Sequence, residues 1–180
     1  MSGVQAIHTI GHSTRTAEEF VALLRAHGMV QLADVRTFPM SRRLPHFNRE
    51  PFAEMLRQHG IDYRHLPALG GRRRPRADSI NGAWQHESFR GYADHMATTE
   101  FAAGLEELLQ YAAQASTAIM CAEAVWWQCH RRLVADALVA REVPVSHIMS
   151  AERAQPHELT SFAVVRDGQV TYPGLLDRTE

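Results

Sequence analysis

The segment Cys121-Ala-Glu-Ala-Val-Trp-Trp-Gln-Cys-His-Arg131 packs two thiols, a carboxylate, an imidazole and a guanidinium around what reads as a strand-to-helix turn. Thiolate, the form that attacks electrophiles or binds metal, is favoured by helix N-terminal amides and a nearby guanidinium. On this reading Cys121 is the better nucleophile and Cys129 the alternative, because Cys129 also continues into Leu133 and Ala137 at helical spacing and can be core. His130 or His12 would act as general acid or base near neutral pH, and Glu123 would orient a histidine or accept a proton. Arg36 and Arg131 would hold an anionic substrate. Trp126 and Trp127 either stack a planar ligand or plug the loop against the core.

His12, Cys121, Glu123, Cys129 and His130 are also a nitrogen, sulfur and oxygen donor set for zinc or iron, which leaves a metal-dependent hydrolase or lyase open. Cys129 and His130 lie about 100° apart on a helix, so both reach one ion only if its first turn is distorted. Asp34-Val-Arg36 is either a salt-bridged strand end or a device that sets Arg36, with Arg42 and Arg43, on an anion, since bidentate arginine suits phosphate or carboxylate. Gly70-Gly71 before Arg72, Arg73 and Arg74 could form a backbone nest with cationic walls. No strand-glycine-helix continuity accompanies it, so it is neither a nucleotide fingerprint nor a P-loop.

These residues meet only if the chain alternates strands and helices. Ala6 to Ile10 reads as a strand, followed by the turn Gly11-His12-Ser13. Thr16 and Glu19 make a capping box, Phe20, Leu23, Leu24 and His27 recur at helical spacing, and Gly28 is a left-handed stop. Val30 to Val35 is a second strand. Asn48 caps a helix with Pro51 in its first turn and Phe52, Met55, Leu56 and His59 on one face, ended by Gly60. Ile61 to Leu66 is a third strand, suited to an edge by Asp62 and Arg64. Residues 67–87, rich in Gly, Arg and Pro, read as a functional or mobile loop. A short helix carries Phe89, Tyr92, Ala93 and Met96, and a longer one spans Thr99 to Gln114. Thr117 to Cys121 is a buried strand, Gln128 to Arg141 a helix and Val143 to Ile148 a strand. The alternation predicts an α/β fold with a mainly parallel five-stranded sheet and helices on both faces. Phe162 to Val165 and Gln169 to Tyr172 flank Arg166-Asp167-Gly168, which predicts a C-terminal β-hairpin at about 160–173. In such a sheet ligands gather beyond the carboxyl ends of the strands, where His12, Ser13, Asp34, Arg36, Gly70, Gly71, Cys121, Glu123 and His147 would stand.

With 180 residues, 45% of them hydrophobic and 22% charged, the chain suits one domain spanning 1–180 around one core. No segment approaches the ~20 apolar residues of a membrane span, and Met1 to Gln5 has no basic residue or long apolar run, so the expectation is a soluble, cytoplasmic protein without membrane contact. Two cysteines eight positions apart are a poor layout for a disulfide scaffold and suit reduced thiols. Residues 41–76 hold nine arginines against Glu50, Glu54 and Asp62, although every one of the 19 basic residues is arginine, a bias that composition alone can produce. A non-catalytic nucleic-acid-binding module using this stretch is therefore the second reading.

The order Thr9-Ile10-Gly11-His12-Ser13, then Asp34-Val35-Arg36 with Pro39, Ser41, Arg42 and Phe47, then Leu69-Gly70-Gly71, Tyr92, and Cys121, Glu123 and Cys129-His130-Arg131, resembles the bacterial domain of unknown function 488 family. The resemblance runs from about residue 7 to 148 and implies no established activity. A looser similarity is to rhodanese-like domains, which implies sulfur or phosphoryl chemistry at Cys121. The leading expectation is an enzyme, a thiol-dependent transferase or hydrolase, acting on an anionic (phosphorylated or nucleotide-like) small molecule at a Cys/His/Arg site on the carboxyl edge of the sheet.

Overall fold

Short β-rich runs separated by helices long enough to cross back over a sheet can pair only in parallel. The computed structural model, which describes residues 5–177, shows that outcome. Residues 1–4, part of the stretch expected to lack an export signal, and residues 178–180 lie outside the described residues. The elements run β1 (Ile7–Gly11), α1 (Ala17–Ala26), β2 (Gln31–Asp34), α2 (Arg49–Gln58), β3 (Asp62–His65), α3 (Glu87–His95), α4 (Thr99–Ala112), β4 (Thr117–Cys121), α5 (Arg131–Val139), β5 (Val145–Ile148), β6 (Ala154–Pro156), β7 (Val164–Arg166) and β8 (Gln169–Thr171). The main sheet has six strands in the order β3-β2-β4-β1-β5-β6, rather than the five expected. The added strand is β6, three residues paired antiparallel to β5, too short to show an alternating pattern. Among the described residues no helix is long and apolar enough to cross a membrane.

Side-chain alternation sorts the core into two layers. Ile10, Leu32, Ala118 and Met120 pack with Phe20 and Leu24 of α1 and Phe52 and Leu56 of α2. Ile7, Ala33, Ile119 and Cys121 face the opposite way, against Tyr92, Phe101, Leu105, Leu133 and Val134 of α3, α4 and α5. Helices thus cover both faces, as expected. The edge strand β3 accounts for its charges, with Asp62 exposed and Arg64 half-buried.

Strand order makes the functional edge. From β1 the chain leaves over one face through α1 to β2, and from β4, hydrogen-bonded beside β1, it leaves over the other face through α5 to β5. Two neighbouring parallel strands whose connections part to opposite faces open a crevice at their carboxyl ends.

Local signals account for the boundaries. Thr16 Oγ1 accepts from Glu19 N, as the capping box requires. After α1, Gly28 at φ 71° lets Met29 N reach Leu24 O and Gly28 N reach Arg25 O, a Schellman ending. Asn48 precedes α2 as expected, but its Oδ1 accepts from Ser41 N at 2.6 Å instead of capping the helix. The hairpin turn places Asp167 at φ 52° and Gly168 at φ 75°, the pair of positive angles that Asp-Gly tolerates best. The loop after β3 is pinned: Asp94 of α3 accepts from Arg76 N, Ser79 Oγ and Asn81 Nδ2, and Asn81 Oδ1 accepts from Tyr172 N.

A Cβ on Gly28 meets nothing within 4 Å, so Gly28→Ala isolates the cost of the left-handed backbone. It should lower unfolding free energy by about 1–2 kcal/mol, read as an earlier urea midpoint at unchanged m-value.

Candidate active site at the carboxyl edge

β1 and β4 pair in register up to Gly11 opposite Cys121, and backbone bonds carry the pairing on, from His12 N to Cys121 O and from Ser13 N to Ala122 O. The chain from Ala122 to Gln128 then folds back across the end of β1. It can do so because residue 11 is glycine: a Cβ there would stand 1.7 Å from Glu123 O. Arg131, at the first turn of α5 and 1% exposed, holds the crossing in place by donating from Nη2 to Glu123 O at 2.6 Å and from Nη1 to Thr9 Oγ1 at 3.2 Å.

The fold-back lays Cys129 on the last residue of β4, and the sulfurs of Cys121 and Cys129 are in bonding contact. Eight positions of separation looked unsuitable for a disulfide. The reversal of the chain over Gly11 brings the two side chains together, with their Cα atoms 7.7 Å apart.

The two sulfurs stand in opposite environments. Cys121 Sγ faces a carbonyl, Glu123 O at 3.9 Å, which favours a thiol that keeps its proton. Cys129 Sγ receives Arg131 N–H at 3.5 Å at the start of α5 and lies 3.5 Å from His130 Nδ1. The amide at the helix start favours a negative sulfur, whereas the neutral imidazole acceptor favours the S–H form. Of the two sulfurs, that of Cys129 rather than that of Cys121, the expected nucleophile, receives a backbone N–H.

His130 is held by Nε2–H donation to Val35 O at 2.8 Å, which leaves Nδ1 as the acceptor beside Cys129. Burial pushes its pKa down to about 4, partly offset by that hydrogen bond. His12 is likewise lowered to about 4, chiefly by burial; its ring stacks on Phe47, Nδ1 donates to Ser13 O and Nε2 accepts from Arg36 Nη1 at 3.4 Å. Both rings are neutral at pH 7 and serve as acceptors, which corrects the expectation of an acid–base pair poised near neutrality.

A cleft of about 720 Å³ opens here, lined by His12, Ser13, Arg36, Arg43, Gly71, Arg72, Cys121, Glu123, Cys129 and His130 together with Phe38 and Met40. Ser13, at φ 50°, lines it, and its hydroxyl has no hydrogen bond among the described residues. Asp34 does not line the cleft: it takes Arg36 Nε and Nη2 in a bidentate pair at 2.9 and 2.7 Å, and Tyr63 OH donates to its Oδ2. Arg36 Nη2 also reaches Phe47 O, so with His12 taking one Nη1 proton a single N–H remains for a ligand. Arg131 is committed to the loop and is not an anion holder. Arg42 lines a separate shallow depression with Pro45 and Asn48.

Arg43 and Arg72, both exposed, have no hydrogen bond or ion pair among the described residues and are the free cations of the cleft. Glu123 is the acidic group at its mouth, with its carboxylate bonded to no histidine. Gly70 is extended (φ −64°, ψ 151°). The two glycines are needed for closeness: a Cβ on Gly70 would come within 2.5 Å of Thr37 Oγ1, and one on Gly71 within 3.1 Å of His130 Nδ1. Of the arginine-rich stretch, Arg57, Arg64, Arg73 and Arg76 pair with Glu54, Glu107, Glu100 and Asp78.

No group of three His, Cys, Asp or Glu side chains among the described residues is placed to hold a metal ion. His12, Cys121, Glu123, Cys129 and His130, the donor set read for zinc or iron, line the same cleft without forming such a group.

Below the cleft lies a buried polar chain that the sequence did not disclose. Thr9 and His147 are register partners on β1 and β5, 2.6 Å apart through Oγ1 and Nδ1. His147 Nε2 meets His157 Nδ1 at 2.9 Å, and His157 Nε2 meets Asp136 Oδ1 at 2.8 Å. Asp136 also accepts from Thr160 N and Tyr172 OH. One proton order satisfies every pair: Arg131 to Thr9, Thr9 to His147, His147 to His157, His157 to Asp136. A guanidinium and a carboxylate thus compensate each other's burial across the interior. Trp126 stacks on His147 with centroids 4.1 Å apart, so it plugs the core rather than waiting for a ligand. The available signal was Asp136, a charge on the apolar stripe of α5.

A family model described as "Domain of unknown function DUF488" matches residues 16–138. No curated protein and no solved structure matches the chain, and the looser likeness to rhodanese-like domains gains no support.

The lowered histidines set the acid response. His12 and His130 at about 4 and His147 at about 3 stay unprotonated in the folded chain, while in the unfolded chain each takes a proton below about 6.5. Their contribution to stability is whole above pH 6.5 and is lost as pH falls toward 4. Urea unfolding at pH 7 and pH 5 should show a clear drop; equal stability at both would contradict neutral buried rings. Asp136→Ala strands Tyr172, Thr160 and His157, and a loss of about 3 kcal/mol or more is expected in the same assay.

Proposed function

The chain belongs to the DUF488 family, a membership that brings no activity with it, and from the geometry of the cleft we propose a thiol-dependent enzyme acting on an anionic small molecule. One observation carries this reading. Cys129 Sγ stands at the start of α5 with Arg131 N–H and His130 Nδ1 both at 3.5 Å, and it opens on a cleft whose walls hold the unpaired cations Arg43 and Arg72. The thiol proton leaves to solvent through the cleft, and the amide of Arg131 faces the charge left on sulfur. Arg43, Arg72, the remaining N–H of Arg36 and the Ser13 hydroxyl supply donors for an anionic group. Phe38 and Met40, 70% and 79% exposed at the rim, suit a substrate whose body is apolar or planar.

Alkylation of the reduced protein tests the reading. An ordinary thiol reacts faster with iodoacetamide than with the anionic iodoacetate. Here iodoacetate should be favoured at Cys129, by about tenfold at low salt, and the preference should shrink with added salt or after Arg43→Ala with Arg72→Ala. Ordinary selectivity in the wild-type chain, or modification confined to Cys121, would remove the proposal.

A further inference from the structure

Resting on the nucleophile reading above, we infer that the reaction is a dithiol–disulfide exchange in which Cys121 resolves the adduct formed on Cys129, so that the substrate class is an anionic small-molecule disulfide. The two sulfurs are in contact, and both line the same cleft. A nucleophile that only transferred or hydrolysed an acyl or phosphoryl group would gain nothing from a second thiol against it, and that thiol would compete with the incoming acceptor. Their environments also divide the labour. Cys129 Sγ receives the Arg131 amide N–H, whereas Cys121 Sγ faces the Glu123 carbonyl. Attack and resolution need that asymmetry, because the attacking sulfur must be charged while the resolving one stays protonated until needed.

The electrons balance over two displacements. Cys129 thiolate attacks one sulfur of a disulfide R–S–S–R′, forming the mixed disulfide Cys129–S–S–R and expelling R′S⁻, which takes a proton from water. Cys121 then loses its proton to solvent at the cleft mouth, and its thiolate attacks Cys129 Sγ. The Cys121–Cys129 bond forms and RS⁻ leaves. The substrate disulfide is reduced by two electrons to two thiols, and the protein pair is oxidised. A second dithiol, either a small-molecule dithiol or a dithiol protein, reduces the pair for the next cycle. Chain placement brings the two sulfurs together, because Gly11 lets the loop cross and the Arg131 guanidinium holds Glu123 O at 2.6 Å, and with the Cα atoms 7.7 Å apart the second displacement draws the backbones slightly closer.

The pre-reduced full chain, mixed with excess glutathione disulfide and followed by intact mass and thiol release, tests this. Wild type should lose two hydrogens, retain no glutathionyl group and release both halves of the disulfide, and added dithiothreitol should sustain turnover. Cys121→Ser should stop at a stable glutathionyl adduct on Cys129, and Cys129→Ser should react about tenfold or more slowly. Cystamine, a cationic disulfide, should react about tenfold slower than glutathione disulfide with wild type, and Arg43→Ala with Arg72→Ala should narrow the gap. A wild-type chain that keeps the glutathionyl adduct, or a Cys121→Ser variant that turns over like wild type, overturns the exchange while leaving Cys129 as nucleophile. If Cys129→Ser reacts as fast as wild type, the nucleophile reading falls and the exchange falls with it. Equal rates with the two disulfides overturn the anionic substrate class. The wild-type mass result stands even if a variant fails to fold.

Discussion

Arg131 clamping the Glu123 carbonyl is the contact on which the edge of this protein depends. Its guanidinium is sealed from water, and a buried charge is tolerated only with partners. It finds one in the carbonyl of the loop that crosses β1 and another in Thr9 Oγ1. Releasing the carbonyl would free the loop, and with it the position of Cys129 against Cys121. The missing side chain at Gly11 is the complementary condition, since the same carbonyl occupies the space a Cβ would need.

The buried chain through Thr9, His147 and His157 to Asp136 explains how so polar an interior is stable. Along it one donor meets one acceptor at each step and the two formal charges sit at its ends, while Arg131 Nε is buried without a partner among the described residues. Tyr172, just past β8, closes the far end by donating to Asp136, so the C-terminal hairpin is tied to the same network as the cleft floor. Asp34 does for Arg36 on the other side of the cleft what Asp136 does here. It orients a cation whose remaining N–H is aimed at the site, instead of binding anything itself.

Element types were largely legible. The Thr16 cap, the Gly28 and Gly60 stops and the Asp167-Gly168 turn act within a few residues of themselves, so their conformations follow from local chemistry. Strand β6 escaped because three residues carry no period. The candidate site was legible as an inventory and less so as roles. Cys121, Cys129, His130, His12 and Arg36 do share one cleft, but Asp34, Arg131 and Gly70 turn out to hold the frame, and Arg43 and Arg72 are the free cations. Whether an arginine is free or committed depends on partners far away in the chain, such as Glu123 O for Arg131 and Glu100 for Arg73.

By itself, then, the sequence determined the alternation of strands and helices, the faces they bury and the set of reactive residues, because periodicity, capping and turn chemistry operate over short spans. The tertiary structure alone decided the strand order, the reversal of the cysteine loop over Gly11, and which thiol faces an amide and which a carbonyl. Those outcomes depend on parallel strands that are neighbours in space yet more than a hundred residues apart in the chain, and no local pattern encodes which strands become neighbours.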